Sequence, residues 1–188
     1  MKKITFQGEY GAYSHLACTK AFSDLEPIPC RTFEAALDNV RLGDSDLAMI
    51  PVENSVAGRV ADIHYLLGDY DLKIYAEHFQ KVEHQLLVQS GVSLKEIKSL
   101  RSHAMAIGQC QAVIKELGLQ TIVMADTAGS AKYISEQENC KDAAIASKLA
   151  AETYGLEIAM DNIQDIHHNT TRFLVMSKDL QQKKQELN

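Results

Sequence analysis

A short apolar run, residues 47–50, leads almost directly into the polar residues Glu53, Asn54 and Ser55. The run is too short for a helix and does not alternate, which is typical of a strand buried on both faces of a sheet. We expect Pro51 to end this strand. In open α/β sheets, ligands bind beyond the carboxyl ends of such strands. The three polar residues are therefore predicted to lie at a ligand site, or else to form a polar turn in which Ser55 caps the next helix.

Composition excludes several classes of partner. The 188 residues carry a net charge of -6, and the body of the chain has no basic cluster, so we expect no nucleic-acid partner. An anionic substrate must then be held by local donors. No apolar run approaches the length of a membrane span, and the N-terminus lacks the apolar core of a signal peptide, so we expect no membrane partner. Four widely spaced cysteines without a CxxC pair indicate reduced thiols in a cytoplasmic protein.

Short apolar runs alternate with helix-forming segments along most of the chain, which predicts an α/β fold with parallel-rich sheets. The alternation occurs in two blocks joined by a long extended segment over residues 72–89. A last strand after residue 171 is expected to return the chain to the first block. We therefore predict two α/β lobes with a cleft, lobe 1 formed by about residues 1–76 and 170–188 and lobe 2 by about residues 77–169.

Capping residues and glycines indicate where the helices begin and end. Thr32 is expected to cap a helix over residues 33–40, which Gly43 ends in the usual position after the last turn. A single helix is expected over residues 105–117, ended by Gly118. The polar tail from residue 177 is expected to be a helix end or a linker.

Further polar residues stand at strand ends or helix starts; they are Ser102, Gln109 and Thr127 in the second block, and Asn169, Thr171 and Arg172 at the return. Thr127 either offers the free N–H groups of a helix start to a carboxylate or is a plain N-cap. Arg172 either clamps a substrate carboxylate or holds the carboxylate of Glu53. His167 and His168 lack third and fourth ligands at useful spacing, so we expect surface histidines and no metal site.

The chain resembles the catalytic domain of prephenate and arogenate dehydratases in five stretches. They are residues 6–14, residues 50–55 with Gly58, Ser102 with residues 109–110, residues 143–147 with 154–156, and residues 169–173. These stretches run from the first predicted strand to the last. The Glu-Asn-Ser and Thr-Arg-Phe motifs, in this order, are the most specific part of the resemblance.

The resemblance implies two α/β lobes similar to type II solute-binding proteins, and a reaction that needs no cofactor. Members of the family convert prephenate to phenylpyruvate, or arogenate to phenylalanine, with release of water and carbon dioxide. Thr171 is the residue most tied to catalysis by the resemblance, with Glu53 as a rival acid. The positions linked with substrate binding are Asn54, Ser55, Ser102, Gln109, Thr127, Asn169 and Arg172.

Some features depart from the family pattern. The family commonly reads Ser-His-Pro-Gln where residues 102–105 read Ser-His-Ala-Met, and residues 126–129 look like the plant-type branch, which keeps arogenate open as a substrate. The family usually carries a regulatory ACT domain, and without such a segment we expect no feedback inhibition by phenylalanine. A homodimer or homotetramer is expected from the resemblance. The alternative is a non-catalytic solute-binding module of the same two-lobe fold, which the Thr-Arg-Phe motif disfavours.

Overall fold

The chain is seen here as a computed structural model that describes residues 2–179. The polar segment expected beyond residue 179 lies outside the described residues. Within them the chain divides into two compact units. Unit 1 comprises residues 2–8, 14–81 and 170–179, and unit 2 comprises residues 9–13 and 82–169.

Helices and strands alternate as the sequence predicts. In chain order the elements are β1 (Lys3–Gln7), α1 (Tyr13–Ala21), β2 (Glu26–Cys30), α2 (Phe33–Leu42), β3 (Leu47–Asn54), β4 (Gly58–Arg59), α3 (Ala61–Leu66), β5 (Lys73–Lys81), β6 (Gln85–Val88), a 3-10 turn (Leu94–Glu96), β7 (Ser99–Ser102), α4 (Ala104–Gly108), α5 (Gln111–Leu117), β8 (Gln120–Val123), α6 (Thr127–Glu136), β9 (Asp142–Ala146), α7 (Lys148–Tyr154), β10 (Glu157–Met160) and β11 (Thr170–Ser177). The α/β fold class is confirmed.

Unit 1 is built on a sheet with the strand order β2-β1-β3-β11-β5, and β4 pairs with the end of β3. Strand β1 is parallel to β2 and β3, whereas β11 is antiparallel to both β3 and β5. Consecutive residues of β3 belong to different apolar clusters, since Met49 packs with Phe6 and Phe173 while Ile50 packs with Leu37. Both faces of β3 are therefore covered, which explains why its apolar run does not alternate.

Unit 2 is built on a second sheet with the order β10-β6-β9-β7-β8. Strand β7 is parallel to β8 and β9, and β6 is antiparallel to β9 and β10. Leu86 and Leu87 fall in different apolar clusters, so this sheet is also covered on both faces.

Residues 9–13 lie in unit 2, although they fall between β1 and α1 in the sequence. Three contacts tie this segment to its unit. The Ser147 hydroxyl donates to the Gly11 carbonyl at 2.6 Å, the Tyr154 hydroxyl donates to the Tyr10 carbonyl at 2.7 Å, and Lys132 pairs with Glu9 at 3.1 Å. The glycine turn after β1 therefore carries the chain onto α6 and α7.

The expected capping of α2 is confirmed. The Thr32 hydroxyl accepts from the Ala35 N–H at 3.1 Å, and Gly43 follows the helix with φ of 88°. Such a left-handed backbone is the usual position for glycine after a helix. The prediction that Ser55 caps the next helix is wrong, because the residue before α3 is Val60.

Strand β3 does not end at Pro51 but continues to Asn54. Proline lacks the N–H that a sheet ladder uses, so it is tolerated only where no ladder bond is lost. The pairing of β3 with β1 stops at Met49, and the pairing with β11 is irregular next to Pro51. Glu53 and Asn54 are consequently strand residues rather than loop residues.

The single helix expected over residues 105–117 is two helices, α4 and α5, separated at Gln109 and Cys110. Asp165 provides the physical reason. Its carboxylate accepts from the Gln111 and Ala112 N–H groups at 2.8 and 3.1 Å, which caps a new helix start, and its own N–H donates to the Gln109 carbonyl at 2.7 Å. A capping partner 54 residues away in the chain is invisible to helical periodicity.

Two negative observations apply to residues 2–179. No helix there is long and apolar enough to cross a membrane. No group of three or more His, Cys, Asp or Glu side chains in the same residues is arranged to hold a metal ion.

Candidate functional site

The functional side chains of unit 1 centre on Asn54, the last residue of β3, and Thr171, its cross-strand partner on β11. The Asn54 amide Nδ2 donates to the Thr171 Oγ1 at 2.9 Å. The Asn54 Oδ1 in turn accepts from the Val56 and Ala57 N–H groups at 3.0 and 2.8 Å. These two bonds fix which end of the Asn54 amide is the donor.

The hydroxyl of half-buried Thr171 is thereby left as a donor. Its oxygen accepts from Asn54, and its hydrogen is donated to no acceptor among residues 2–179. A hydroxyl that accepts one hydrogen bond becomes a better donor for a second, because neighbouring hydrogen bonds polarise one another. The pair therefore presents an oriented O–H group.

A β-bulge puts the two side chains on one face of the sheet. Phe173 pairs with Pro51 and Arg172 pairs with Glu53, so Val52 has no partner on β11. An extra residue in one strand re-aims the side chains that follow it. Ile50 lies on the face of the sheet that α2 covers. Without the bulge, strict alternation would place Asn54 on that same face, whereas Thr171 lies on the other one.

Ser55 holds the start of β11 through two backbone bonds. Its N–H donates to the Thr170 carbonyl at 2.9 Å, and its hydroxyl accepts from the Thr170 N–H at 3.0 Å. Ser55 is thus brought next to the Asn54–Thr171 pair, with its oxygen engaged by the backbone of the neighbouring residue.

Arg172 has a different carboxylate partner from the one considered from the sequence. Its guanidinium pairs with Glu77 on β5. Glu77 lies opposite Leu174, two residues along β11 from Arg172, so the long arginine side chain reaches its diagonal neighbour. The hydrogen bond with Glu77, more than the charge of Glu53, raises the pKa of Arg172. The alternative that Arg172 holds Glu53 in an ion pair is therefore not realised.

Glu53 is exposed and lines a shallow recess of about 300 Å³ in unit 1. The other lining residues are Ser55, Phe79, Thr170 and Arg172. Thr171 is not among them, which is consistent with its position on the opposite face of β11 from its two neighbours. Glu53 pairs with Arg172 across the two strands and therefore shares its face of the sheet. The Glu53 carboxyl and the Thr171 hydroxyl thus lie on opposite faces.

Gln109 is the centre of the polar groups of unit 2. Its side-chain Oε1 accepts from the Asn169 Nδ2 at 2.9 Å and lies 2.8 Å from the Nε2 of His84. The imidazole continues to Tyr13, whose hydroxyl lies 2.8 Å from His84 Nδ1 and 2.9 Å from the Glu83 carbonyl. Four side chains from four separate parts of the sequence thus form one connected network.

The network is largely withdrawn from solvent. His84 and Asn169 are 3% and 1% exposed. Burial lowers the pKa of the His84 imidazole, and the smaller opposing effect is its hydrogen bond with Gln109. Burial also raises the pKa of the Tyr13 hydroxyl well above its usual value. Both groups are therefore neutral near neutral pH.

Two of the predicted site residues have structural partners inside unit 2. Ser102 is fully buried, and its hydroxyl donates to the Ile145 carbonyl at 2.7 Å between β7 and β9. Thr127 is the first residue of α6 and not its cap, because the Asp126 carboxylate accepts from the Gly129 N–H at 2.6 Å. Neither residue joins the network around Gln109.

Reasoning from the sequence missed Tyr13, His84 and Asp165. Tyr13 lies in a stretch of family resemblance, but nothing in its spacing connects it with Gln109. His84 lies in the polar segment between β5 and β6, where a lone histidine has no local signal. His167 and His168 are exposed, as expected.

Comparison with known proteins connects the chain with one family. Residues 4–181 match the family described as Prephenate dehydratase. The chain is 47% identical over 175 residues to the bifunctional N-acyl-homoserine lactone acylase/prephenate dehydratase of Komagataeibacter europaeus, covering 93% of this chain and 62% of that protein. It is 42% identical to arogenate dehydratase/prephenate dehydratase 1, chloroplastic, of Arabidopsis thaliana, covering 94% of this chain and 45% of that protein.

Solved structures agree with these relatives. The structure of GqqA, described as a novel type of quorum quenching acylase, superposes with a TM-score of 0.89 at 46% identity, covering 95% of this chain and 64% of that one. The prephenate dehydratase of Arthrobacter aurescens in complex with L-Phe gives a TM-score of 0.87 at 31% identity, covering 94% of this chain and 60% of that one. The chain thus spans about half to two thirds of the length of the proteins that it matches.

Proposed function

This chain belongs to the prephenate dehydratase family, and from that premise we propose that it catalyses the decarboxylating dehydration of prephenate to phenylpyruvate. The observation that carries the proposal is the Thr171 hydroxyl, held by Asn54 as a donor. The alternative of a solute-binding module without activity is not favoured, because the family match extends over nearly all of the described residues.

The reaction needs a donor at one end of the substrate ring. The bond between the ring and its carboxylate breaks, and its electron pair moves into the ring as carbon dioxide leaves. At the opposite carbon the bond to the hydroxyl breaks, and that oxygen takes one proton, which the solvent supplies in the net reaction, and leaves as water. Aromatisation drives both cleavages, so the enzyme must mainly stabilise the charge that develops on the departing oxygen.

We assign this role to Thr171. A donor that is already oriented needs no reorganisation when negative charge develops on the leaving oxygen. A threonine hydroxyl is a poor acid, so hydrogen bonding and partial proton donation suit it better than full proton transfer. Asn54 acts through Thr171, because its Nδ2 fixes the direction of the hydroxyl.

Glu53, exposed on the recess, is the rival proton donor. We assign Gln109, Asn169 and Arg172 to substrate carboxylates or carbonyl oxygens. Gln109 and Asn169 have amide donors, and guanidinium groups bind carboxylates well. Arogenate is a second substrate in this proposal, because the Arabidopsis relative carries both activities in its name.

One assay tests the proposal. The protein is mixed at neutral pH with prephenate and, separately, with arogenate, and phenylpyruvate and phenylalanine are followed against an enzyme-free control. Turnover of prephenate is expected. If the folded protein turns over neither substrate, the proposal is wrong. Nothing in the geometry of residues 2–179 favours the acylase activity that is part of the Komagataeibacter relative's name.

We also place the protein in the cytoplasm as a homodimer or homotetramer. Cys18, Cys30, Cys110 and Cys140 are free, which suits a reducing compartment. The oligomeric state rests on the family resemblance alone. Light scattering coupled to size-exclusion chromatography tests it, and a monomeric mass at micromolar concentration would contradict it.

A further inference from the structure

The hydrogen bonds around Gln109 form a directed series. Gln109 Oε1 can only accept, so the His84 Nε2 that faces it at 2.8 Å must carry a hydrogen. A neutral imidazole has one N–H, so His84 Nδ1 is an acceptor. The single hydrogen of the Tyr13 hydroxyl is then shared between Nδ1, at 2.8 Å, and the Glu83 carbonyl, at 2.9 Å. The orientation of the Gln109 amide and one neutral ring thus set the direction of the bonds at both ring nitrogens.

The contact with Asn169 indicates the same orientation of the Gln109 amide. Its Nδ2 donates to the same Gln109 oxygen at 2.9 Å. If the Gln109 amide were rotated by half a turn, its NH2 group would face the NH2 group of Asn169. Two donors would then oppose each other, so the Asn169 contact holds the amide with its oxygen toward the network.

The consequence is that the Gln109 NH2 group is turned away from the network. Among residues 2–179 its Nε2 donates to no acceptor, while its oxygen accepts two bonds. A primary amide held in this way presents two N–H donors, which suits a carboxylate or a carbonyl oxygen. The amide is thus set up to bind an anion without carrying a charge itself.

The backbones that carry the two key side chains are also held together. The His84 N–H donates to the Gln164 Oε1 at 2.8 Å, and the next residue, Asp165, donates its N–H to the Gln109 carbonyl at 2.7 Å. Asp165 also caps α5 directly after Gln109. Two consecutive residues therefore fix the spacing between the imidazole and the amide.

We propose that His84, aligned by Tyr13, is a positioning residue that fixes the Gln109 amide as a donor to an anionic oxygen of the substrate. The inference rests on the proposed function, because it needs Gln109 to contact prephenate. His84 touches no reacting atom in this role. Losing it releases the amide to rotate, so substrate binding suffers before the chemical step does.

The test compares two substitutions of His84. In His84→Asn the shorter side chain reaches the Tyr13 side but not Gln109, whereas in His84→Gln an N–H donor reaches the position of Nε2. We expect KM for prephenate to rise about tenfold in His84→Asn with kcat within about threefold, and KM to stay within about threefold of wild type in His84→Gln. If His84 had only a structural role, we would not expect His84→Gln to keep KM near wild type while His84→Asn raises it.

A third variant and one spectroscopic measurement complete the test. Tyr13→Phe removes the donor to Nδ1, and we expect KM to rise by about threefold to tenfold; this variant replaces His84→Asn if circular dichroism shows that His84→Asn does not fold. In protein labelled with nitrogen-15 histidine, the ring that disappears in His84→Gln is expected to be neutral with its hydrogen on Nε2.

The outcomes separate the two proposals. If wild type turns over prephenate and KM in folded His84→Asn or Tyr13→Phe equals that of wild type, the role of His84 is wrong and the proposed function stands. A hydrogen on Nδ1 of the His84 ring would likewise overturn the positioning role. If folded wild type has no turnover, the proposed function fails, and this inference fails with it.

Discussion

At the scale of single residues, the direction of a hydrogen bond decides what a side chain can do. Thr171 is useful because Asn54 donates to its oxygen at 2.9 Å, which leaves its hydrogen for another acceptor. Asn54 can only donate there because two backbone N–H groups occupy its own oxygen. The chemistry of the hydroxyl thus depends on a turn that follows β3.

Replacing Thr171 tests this reasoning directly. Thr171→Ala removes the donor to the leaving oxygen, and we expect kcat to fall by about 10²–10³, the usual cost of losing one oriented donor in a transition state. Thr171→Ser keeps the hydroxyl and should keep kcat within about tenfold of wild type, since only a methyl group is lost. Steady-state kinetics with prephenate measures both.

A stability measurement shows whether a fall in kcat reflects the lost hydroxyl or a loss of folding. Thermal unfolding of Thr171→Ala should stay close to that of wild type, because the side chain is half-buried and outside the apolar clusters. Near-normal kcat in a folded Thr171→Ala protein would assign the donor elsewhere, and Glu53→Gln would then be the next variant to measure.

Two histidines withdrawn from solvent, His84 and His15, predict how stability depends on pH. Burial lowers the pKa of both His84 and His15 below 6.5. The unfolded chain therefore takes up protons near pH 6.5 that the folded chain refuses, so the free energy of unfolding falls as the pH drops below that value. We expect urea denaturation at pH 7, 6 and 5 to show this decrease, and His84→Gln to reduce its slope by up to about 1.4 kcal/mol per pH unit.

The carboxylate of Glu96 affects stability in a lower pH range than these histidines. The hydrogen bond with Lys141, ahead of those with Ser93, lowers the pKa of Glu96 from 4.5 to about 2. Its stabilising contribution is complete above pH 4.5 and is lost only as the pH falls toward 2. Equal slopes for wild type and His84→Gln between pH 5 and 7 would contradict the histidine assignment.

At the residue scale, the sequence predicts the side chains assigned to the substrate better than the side chains that hold them in position. Asn54 and Thr171 are recognisable in motifs, because the motif residues are consecutive in the chain. His84 and Tyr13 are 71 residues apart and have no shared pattern. A network that depends on folding cannot be inferred from spacing.

At the scale of elements, two irregularities place the candidate site. The bulge at Val52 puts Asn54 on the face of Thr171, and the break between α4 and α5 puts Gln109 at a helix end. Periodicity predicts regular strands and helices, so it does not detect a bulge within a strand or a break within a helix. In both cases the cause is a partner distant in sequence, namely β11 for the bulge and Asp165 for the break.

The packing of residues 9–13 on α7 gives a prediction for a glycine. A Cβ added at Gly11 would lie 2.7 Å from Ala150 Cα, and Gly11 has φ of +85°. We expect Gly11→Ala to cost about 1–2 kcal/mol for the left-handed backbone and about 1–3 kcal/mol more for overpacking. Urea denaturation measures the total.

Gly91→Ala is the matched control. Its φ of +80° is nearly the same, but nothing lies within 4 Å of the added Cβ. It should therefore show only the backbone cost of about 1–2 kcal/mol. If the two variants lose equal stability, the contact between Gly11 and α7 carries no energy of its own.

At the scale of the whole molecule, the alternation of strands and helices was sufficient to predict the fold class but not the course of the chain. Apolar runs in both blocks have the signature of strands covered on two faces, and the clusters around Met49 and Ile50 bear this out. No pattern in the sequence indicates that residues 9–13 belong to unit 2. Their position there depends on the Ser147 and Tyr154 hydroxyls, which only the folded unit brings to the Gly11 and Tyr10 carbonyls.

The position of β11 leads to a prediction about how the units fold. This last strand lies between β3 and β5, and it supplies Phe173 and Val175 to one cluster and Leu174 and Met176 to the other. A chain that ends at Asn169 leaves β5 without a sheet partner and opens both clusters of unit 1. All five strands of the unit 2 sheet remain, because they lie within residues 82–169.

Hydrogen–deuterium exchange on the chain that ends at Asn169 measures the two units separately. We expect rapid exchange in β5, which pairs only with β11 among the described strands, and in β3, which keeps only its pairings with β1 and the short β4. We expect continued protection in β7 and β9. Adding a peptide of residues 170–179 should restore protection in β3 and β5, which shows that the loss is specific to the missing strand. Protection of β5 without the peptide would mean that unit 1 can hold its sheet together without the strand that carries Thr171.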